Sequence, residues 1–184
     1  MPNPVKRVRP NPGAQITGEG WIWWEGEDTI EHNFPPGGAY VFNDEDEQKN
    51  FSNGAWLQYH GADGFKATWQ VNIPEAGEYD LWCRGSFDAP PGISCFKWRW
   101  GNTDWWVCER EMEPIDIFAI REWITDYWIN LGSVWLPAGL QTLEIAGMPD
   151  STAFAFDCWL LTQKAFIPNG ASKPDPGSQQ SSYN

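Results

Sequence analysis

Glu25 and Glu27, in the run Trp23-Trp24-Glu25-Gly26-Glu27-Asp28, are the residues whose type and spacing best suit chemistry. Two residues apart on a strand, their carboxylates point to one side. Such a pair repels unless a proton or a cation separates it; otherwise it is a solvated acidic edge. Paired acids can also cleave a glycosidic bond when about 5 to 9.5 Å apart. With 25 acidic residues such pairs arise by chance, and a cation explains this one better. The 2 histidines, His32 and His60, stand in no Ser/His/Asp order, and there is no phosphate loop or HExxH motif. The expectation is a protein that is not an enzyme. Asn43-Asp44-Glu45-Asp46-Glu47 offers a second acidic run, which reads as a solvated loop.

The elements around these residues read as strands. Short aromatic and β-branched stretches with period-two alternation, separated by turn residues, cover residues 21–27, 39–42, 55–60, 65–73, 78–84, 93–100, 105–110, 127–136, 140–146 and 153–162. Only residues 114–122 read as a short helix. Many short strands and almost no helix predict an all-β fold, an antiparallel β-sandwich of the jelly-roll kind. Residues 1–18 and 168–184 have the composition of linkers, the first a Pro/Gly-rich leader and the second a flexible tail. The sandwich is expected in residues 19–167.

One hairpin can be read in register. A two-residue turn at Gly101-Asn102 sets Trp98 against Trp105, Arg99 against Asp104, Lys97 against Trp106 and Cys95 against Cys108. That register predicts a Cys95–Cys108 disulfide and leaves Cys83 as a buried free thiol. The 4 cysteines form no CxxC pair, which excludes zinc-ribbon and redox motifs.

Composition excludes further classes. A net charge of −13 argues against nucleic acid and anionic membranes, and Lys6-Arg7-Val8-Arg9 is too short to reverse that. No apolar run approaches the roughly 20 residues that cross a bilayer. The N-terminus has charge but no apolar signal-peptide core. Met1 reads as the start of a trimmed chain, and the domain as secreted or cell-surface.

An ordered set of motifs carries a resemblance. Besides Trp23 to Asp28 it comprises Ser52-Asn53-Gly54-Ala55-Trp56-Leu57, Ala76-Gly77-Glu78-Tyr79-Asp80-Leu81-Trp82-Cys83-Arg84, Leu136-Pro137-Ala138-Gly139-Leu140 and Phe156-Asp157-Cys158-Trp159-Leu160. Over residues 21–163 these resemble the carbohydrate-binding modules of families 6 and 35, in the galactose-binding-like group. The resemblance implies a structural calcium site at Glu25, Glu27 and Asp157, completed at Ser52 and Asn53. It also implies a glycan or polysaccharide ligand, held by aromatic platforms and polar loop groups. Among the 14 tryptophans, Trp23, Trp69, Trp82, Trp98 and Trp159 lie mid-strand and are expected in the core. Trp105, Trp106, Trp123, Tyr127 and Trp128 lie at hairpin ends or in the irregular region and are the candidate platforms. Arg121 and Glu122 flank Trp123 and could bond sugar hydroxyls. Relatives that bind at the loop apex often carry an Asn two residues before the last-strand Asp, where this chain has Ala155. The alternative is a structural subunit or interaction domain of an extracellular assembly, whose partners are neighbouring domains or copies of itself, since exposed aromatic patches mark protein contacts too.

Overall fold

Val, Ile and aromatic side chains favour a pleated, half-buried surface, and the chain pairs them in antiparallel ladders throughout. The computed structural model describes residues 9–34, 39–41, 45–61, 64–87, 96–108, 112–121, 124–148 and 153–174. Among these, β1 (Ile16–Gly18), β2 (Trp21–Glu25), β3 (Glu31–His32), β4 (Ala39–Val41), β5 (Ala55–His60) and β6 (Lys66–Ile73) come first. There follow β7 (Gly77–Ser86), β8 (Phe96–Trp100), β9 (Trp106–Val107), β10 (Ile115–Arg121), β11 (Ile124–Leu136), β12 (Gly139–Gly147) and β13 (Ala153–Thr162). A single helical turn, Glu45–Gln48, and a tighter one, Ser52–Gly54, precede β5.

The larger sheet runs β1-β2-β13-β7-β11-β10, with β5 on the first half of β13 and β4 on β5; the smaller runs β3-β6-β12-β8-β9. The two form an antiparallel β-sandwich. Its core lies between the sheets, where Trp24 stacks on Trp159 at 6.1 Å and 5° and Trp69 meets the same ring at 5.1 Å. The five tryptophans expected inside are all buried. A second apolar layer covers the outer face of the larger sheet, where Trp21, Trp23, Trp82, Trp128 and Leu160 pack with Phe166. The chain that supplies this cover returns from β13: Phe166 meets Trp82 and Trp128 edge-on at 5.3 and 5.1 Å. Trp128 Nε1 donates to Gly170 O at 2.8 Å, and Lys173 Nζ stands 4.9 Å over the Trp23 ring.

Two local expectations are corrected. The stretch read as a helix holds β10, an edge strand on β11. Its Ile115, Ile117 and Ile120 are β-branched residues that a strand accommodates better than a helix. The hairpin of β8 and β9 is shifted by one residue, with Trp98 opposite Trp106 and Lys97 opposite Val107. A one-residue slip exchanges the two faces. Arg99 therefore reaches across to β12, its Nε and Nη2 donating to Glu144 Oε2 at 3.0 and 2.9 Å, rather than to Asp104. Cys108 N donates to Phe96 O at 2.8 Å, so Cys108 stands opposite Phe96. The register that paired it with Cys95 is not adopted, and Cys95 lies outside the described residues. Cys83 is a buried free thiol, as expected.

Candidate functional site

The acidic cluster is built by a turn rather than by a continuous strand. β2 ends at Glu25 and the chain bends through Gly26 and Glu27. Gly26 N donates to Asp157 O at 2.8 Å, and a Cβ on Gly26 would fall 1.8 Å from the Phe156 carbonyl oxygen. Only glycine permits that approach. Trp23 Nε1 donates to Glu25 Oε1 at 3.2 Å, and Asn53 Nδ2 to Glu27 Oε1 at 3.0 Å. Asn53 presents that amide from a left-handed backbone, φ 53, a conformation Asn tolerates. The second oxygens, Glu25 Oε2 and Glu27 Oε2, are buried and make no hydrogen bond among the described residues. Burial pushes both carboxyls up, and with Glu25 alongside, Glu27 is pushed up to about 8.

Asp157 is engaged elsewhere. Its Oδ1 accepts from Ser52 N at 2.9 Å and its Oδ2 from Arg84 Nη1 at 2.5 Å. The same Nη1 pairs with Asp126 Oδ2 at 2.7 Å and donates to Asn50 O at 2.7 Å. Burial raises Asp157, and the Asp126 charge adds to it; Asp126 itself is pushed up to about 7 by burial, against the pull of Arg84. The expected ligand set therefore divides. Glu25, Glu27, Ser52 and Asn53 stay together, and Asp157 touches them through Ser52 N, but both of its carboxylate oxygens are engaged, Oδ2 by Arg84. Among the described residues no three His, Cys, Asp or Glu side chains close on one point. The two unpartnered carboxylate oxygens fit a hard cation; Asp157, with both oxygens engaged, does not add a third. Arg84 and Asp126 were missed from the sequence. The usable signal was a lone Arg closing the otherwise apolar run Leu81-Trp82-Cys83, since a charge in a buried strand implies a buried partner.

The candidate platforms also divide. Tyr127 and Trp128 are core residues, Tyr127 edge-on to Phe87 at 5.5 Å and Trp128 edge-on to Trp23 at 5.5 Å. Neither has a face free for a sugar. Trp123 lies outside the described residues, and Arg121 ends β10. Trp106 is 58% exposed and stacks on buried Trp98 at 5.8 Å and 14°. The register shift turns Trp105 to the opposite face, where Arg99 Cζ stands 4.3 Å and Lys97 Nζ 4.7 Å over its ring. Each ring is thus held by a packed neighbour, Trp106 by an indole and Trp105 by two cations.

No protein-family model and no curated protein sequence matches the chain. Solved structures do. A family 35 carbohydrate-binding module from Clostridium thermocellum superposes with a TM-score of 0.56 at 15% identity, over 78% of this chain and 98% of the module. The fold is that of the family 35 modules. A second such module, from an environmental isolate, gives 0.56 at 11% identity over 80% of this chain and 97% of the module. The Podospora anserina GH26-CBM35 β-(1,4)-mannanase gives 0.53 at 19% identity, over 81% of this chain but 29% of the enzyme. The match takes in nearly the whole of each module but under a third of the mannanase.

Proposed function

We propose that this domain binds a neutral polysaccharide through the Trp106 surface and performs no chemistry on it. The observation that carries the reading is the Trp106 indole, 58% exposed and braced flat against Trp98. Such a ring matches the C–H face of a pyranose, and its low conformational freedom limits the ordering cost on binding. Arg99, tied to Glu144 and lying over Trp105, belongs to the opposite face of the hairpin and leaves the Trp106 face to the indole. The module fold supports the same reading. The carboxyls that burial raises, Glu25, Glu27, Asp28, Asp126 and Asp157, are held under protein, which suits a structural role better than hydrolysis. We further propose a structural calcium ion at Glu25 and Glu27, with oxygens of Ser52 and Asn53 beside them. It would neutralise the repelling pair.

Trp106→Ala is expected to weaken retention in polysaccharide affinity gels at least about tenfold, the range of one well-placed aromatic anchor, with an unchanged far-UV circular dichroism spectrum. Wild-type retention by that variant on every polysaccharide rejects the assignment. One observation favours the interaction-domain reading instead: the edge strand β10 exposes Ile117 (60%) and Phe118 (40%). Unprotected apolar edges pair with other chains. Sedimentation velocity separates the two readings, since assembly through β10 makes the mass depend on concentration.

A further inference from the structure

Along β11, Tyr127, Ile129 and Leu131 face the core, and strict alternation would send Ser133 and Trp135 the same way. The ladder with β7 breaks instead. Asn130 stands opposite Trp82 and Gly132 opposite Leu81, so one residue is inserted between them. Gly132 takes φ +100, and Asn130 Oδ1 accepts from Gly132 N at 2.8 Å and holds the bulge. Beyond it the faces exchange: Val134 and Leu136 pack on the core, and Ser133 and Trp135 turn outward. Bulges re-aim side chains in this way. Trp135 is left 64% exposed, and among the described residues no aromatic ring packs on it.

Its surroundings are polar. Glu78 lies directly opposite on β7, and Asp80 is opposite Ser133. Ser133 Oγ donates to Asp80 Oδ1 at 2.6 Å. Directly opposed residues are about 5 Å apart at Cβ and diagonal ones about 7 to 8 Å, so both carboxylates are within one sugar ring of the indole. Neither β11 nor β7, apart from buried Arg84, carries a Lys or Arg. An apolar protein partner would want a contiguous apolar patch, whereas this is one flat ring set among hydroxyl and carboxylate acceptors. That combination suits a neutral pyranose: its C–H face covers the indole and its hydroxyls donate to Glu78 and Asp80. A polyanionic chain would be repelled by the same groups.

We propose that Trp135, Glu78, Asp80 and Ser133 form a second glycan subsite on the outer face of the larger sheet. Trp106 belongs to the edge of the other sheet, so one molecule holds two polysaccharide chains and cross-links them. This rests on the glycan-binding reading above.

Wild type, Trp106→Ala, Trp135→Ala, Glu78→Ala and the double tryptophan variant are run in native gels cast with soluble galactomannan, arabinoxylan, β-1,3-galactan or β-glucan. Turbidity is measured on mixing each protein with the same polymers, and sedimentation is recorded without them. On the polymer that retards wild type, Trp135→Ala is expected to weaken retention roughly three- to tenfold, the value of one stacking contact, and to abolish cross-linking turbidity. Glu78→Ala should weaken retention in the same direction, and Trp106→Ala should keep a residual retention that the double variant lacks. If Trp106→Ala loses binding while Trp135→Ala retains and cross-links like wild type, the subsite is wrong and the first reading stands. If Trp135→Ala alone loses binding, the subsite stands and the Trp106 assignment falls. A change in sedimentation with unchanged retention assigns Trp135 to a protein contact and overturns the subsite. No retardation of wild type on any polymer removes both readings.

Discussion

Arg84→Met is expected to lower the melting temperature by about 10 °C or more. Arg84 is the cation that meets both Asp126 and Asp157, all three buried. Removing one partner of a buried ion pair leaves an uncompensated charge and costs about 3–5 kcal/mol; here two carboxylates are stranded. At roughly 2–4 °C per kcal/mol for a chain of this size the shift is plain in a thermal scan. Both carboxyls already lie above their ordinary values, so they take up protons in the folded state more readily than in the unfolded chain. The deficit of the variant should therefore shrink as the pH falls, and adding Asp126→Asn should recover part of it. A variant melting within about 2 °C of wild type at pH 8 would show that the cluster is not held by Arg84.

The second large effect concerns Glu27. Its carboxyl, ordinarily at 4.5, is held at about 8 in the fold by burial and by Glu25. Between those values the unfolded chain has released the proton and the folded chain has not, so the folded state binds more protons and stability falls as pH rises. In chelator the melting temperature should thus decline from about pH 5 to pH 8. Calcium at a hundred times its dissociation constant would add about 2.7 kcal/mol, roughly 5 to 10 °C, most clearly at pH 8. Glu27→Gln should flatten the pH slope, leaving only the part that Glu25, Asp126 and Asp157 carry, and should remove the calcium response. Superimposable melting curves in chelator and in millimolar calcium at pH 8 would sink the proposed ion.

The strands were legible because alternation is a local signal: residues 55–60 and 153–162 are bounded in the fold as they are in the sequence. What failed depended on partners distant along the chain. The β8–β9 register goes with Arg99 pairing Glu144 on β12, a contact that no reading of Gly101-Asn102 can show. Tyr127 and Trp128 point to opposite faces of β11, and alternation says that one of them faces out. It does not say that Phe166 and Gly170 return to cover the outer one. The acidic site was half legible. Glu25 and Glu27 are neighbours in sequence, whereas Arg84, which engages Asp157 Oδ2, sits on β7. Trp135 was hidden for a related reason, since one inserted residue reverses the parity on which its placement depends.

The position of β13 has a consequence for how the protein is made. It is the last of the described strands in chain order, yet it lies between β2 and β7 and also carries β5, with Trp159 opposite both Trp24 and Cys83. Until it emerges, the larger sheet has a gap at its centre, and β2 and β7 each lack the neighbour that joins them. Pairings between distant segments form slowly, and unpaired strand edges invite aggregation while they wait. Folding of the larger sheet is therefore completed only after synthesis has passed residue 162, and until then β2 and β7 each keep one edge unpaired by β13.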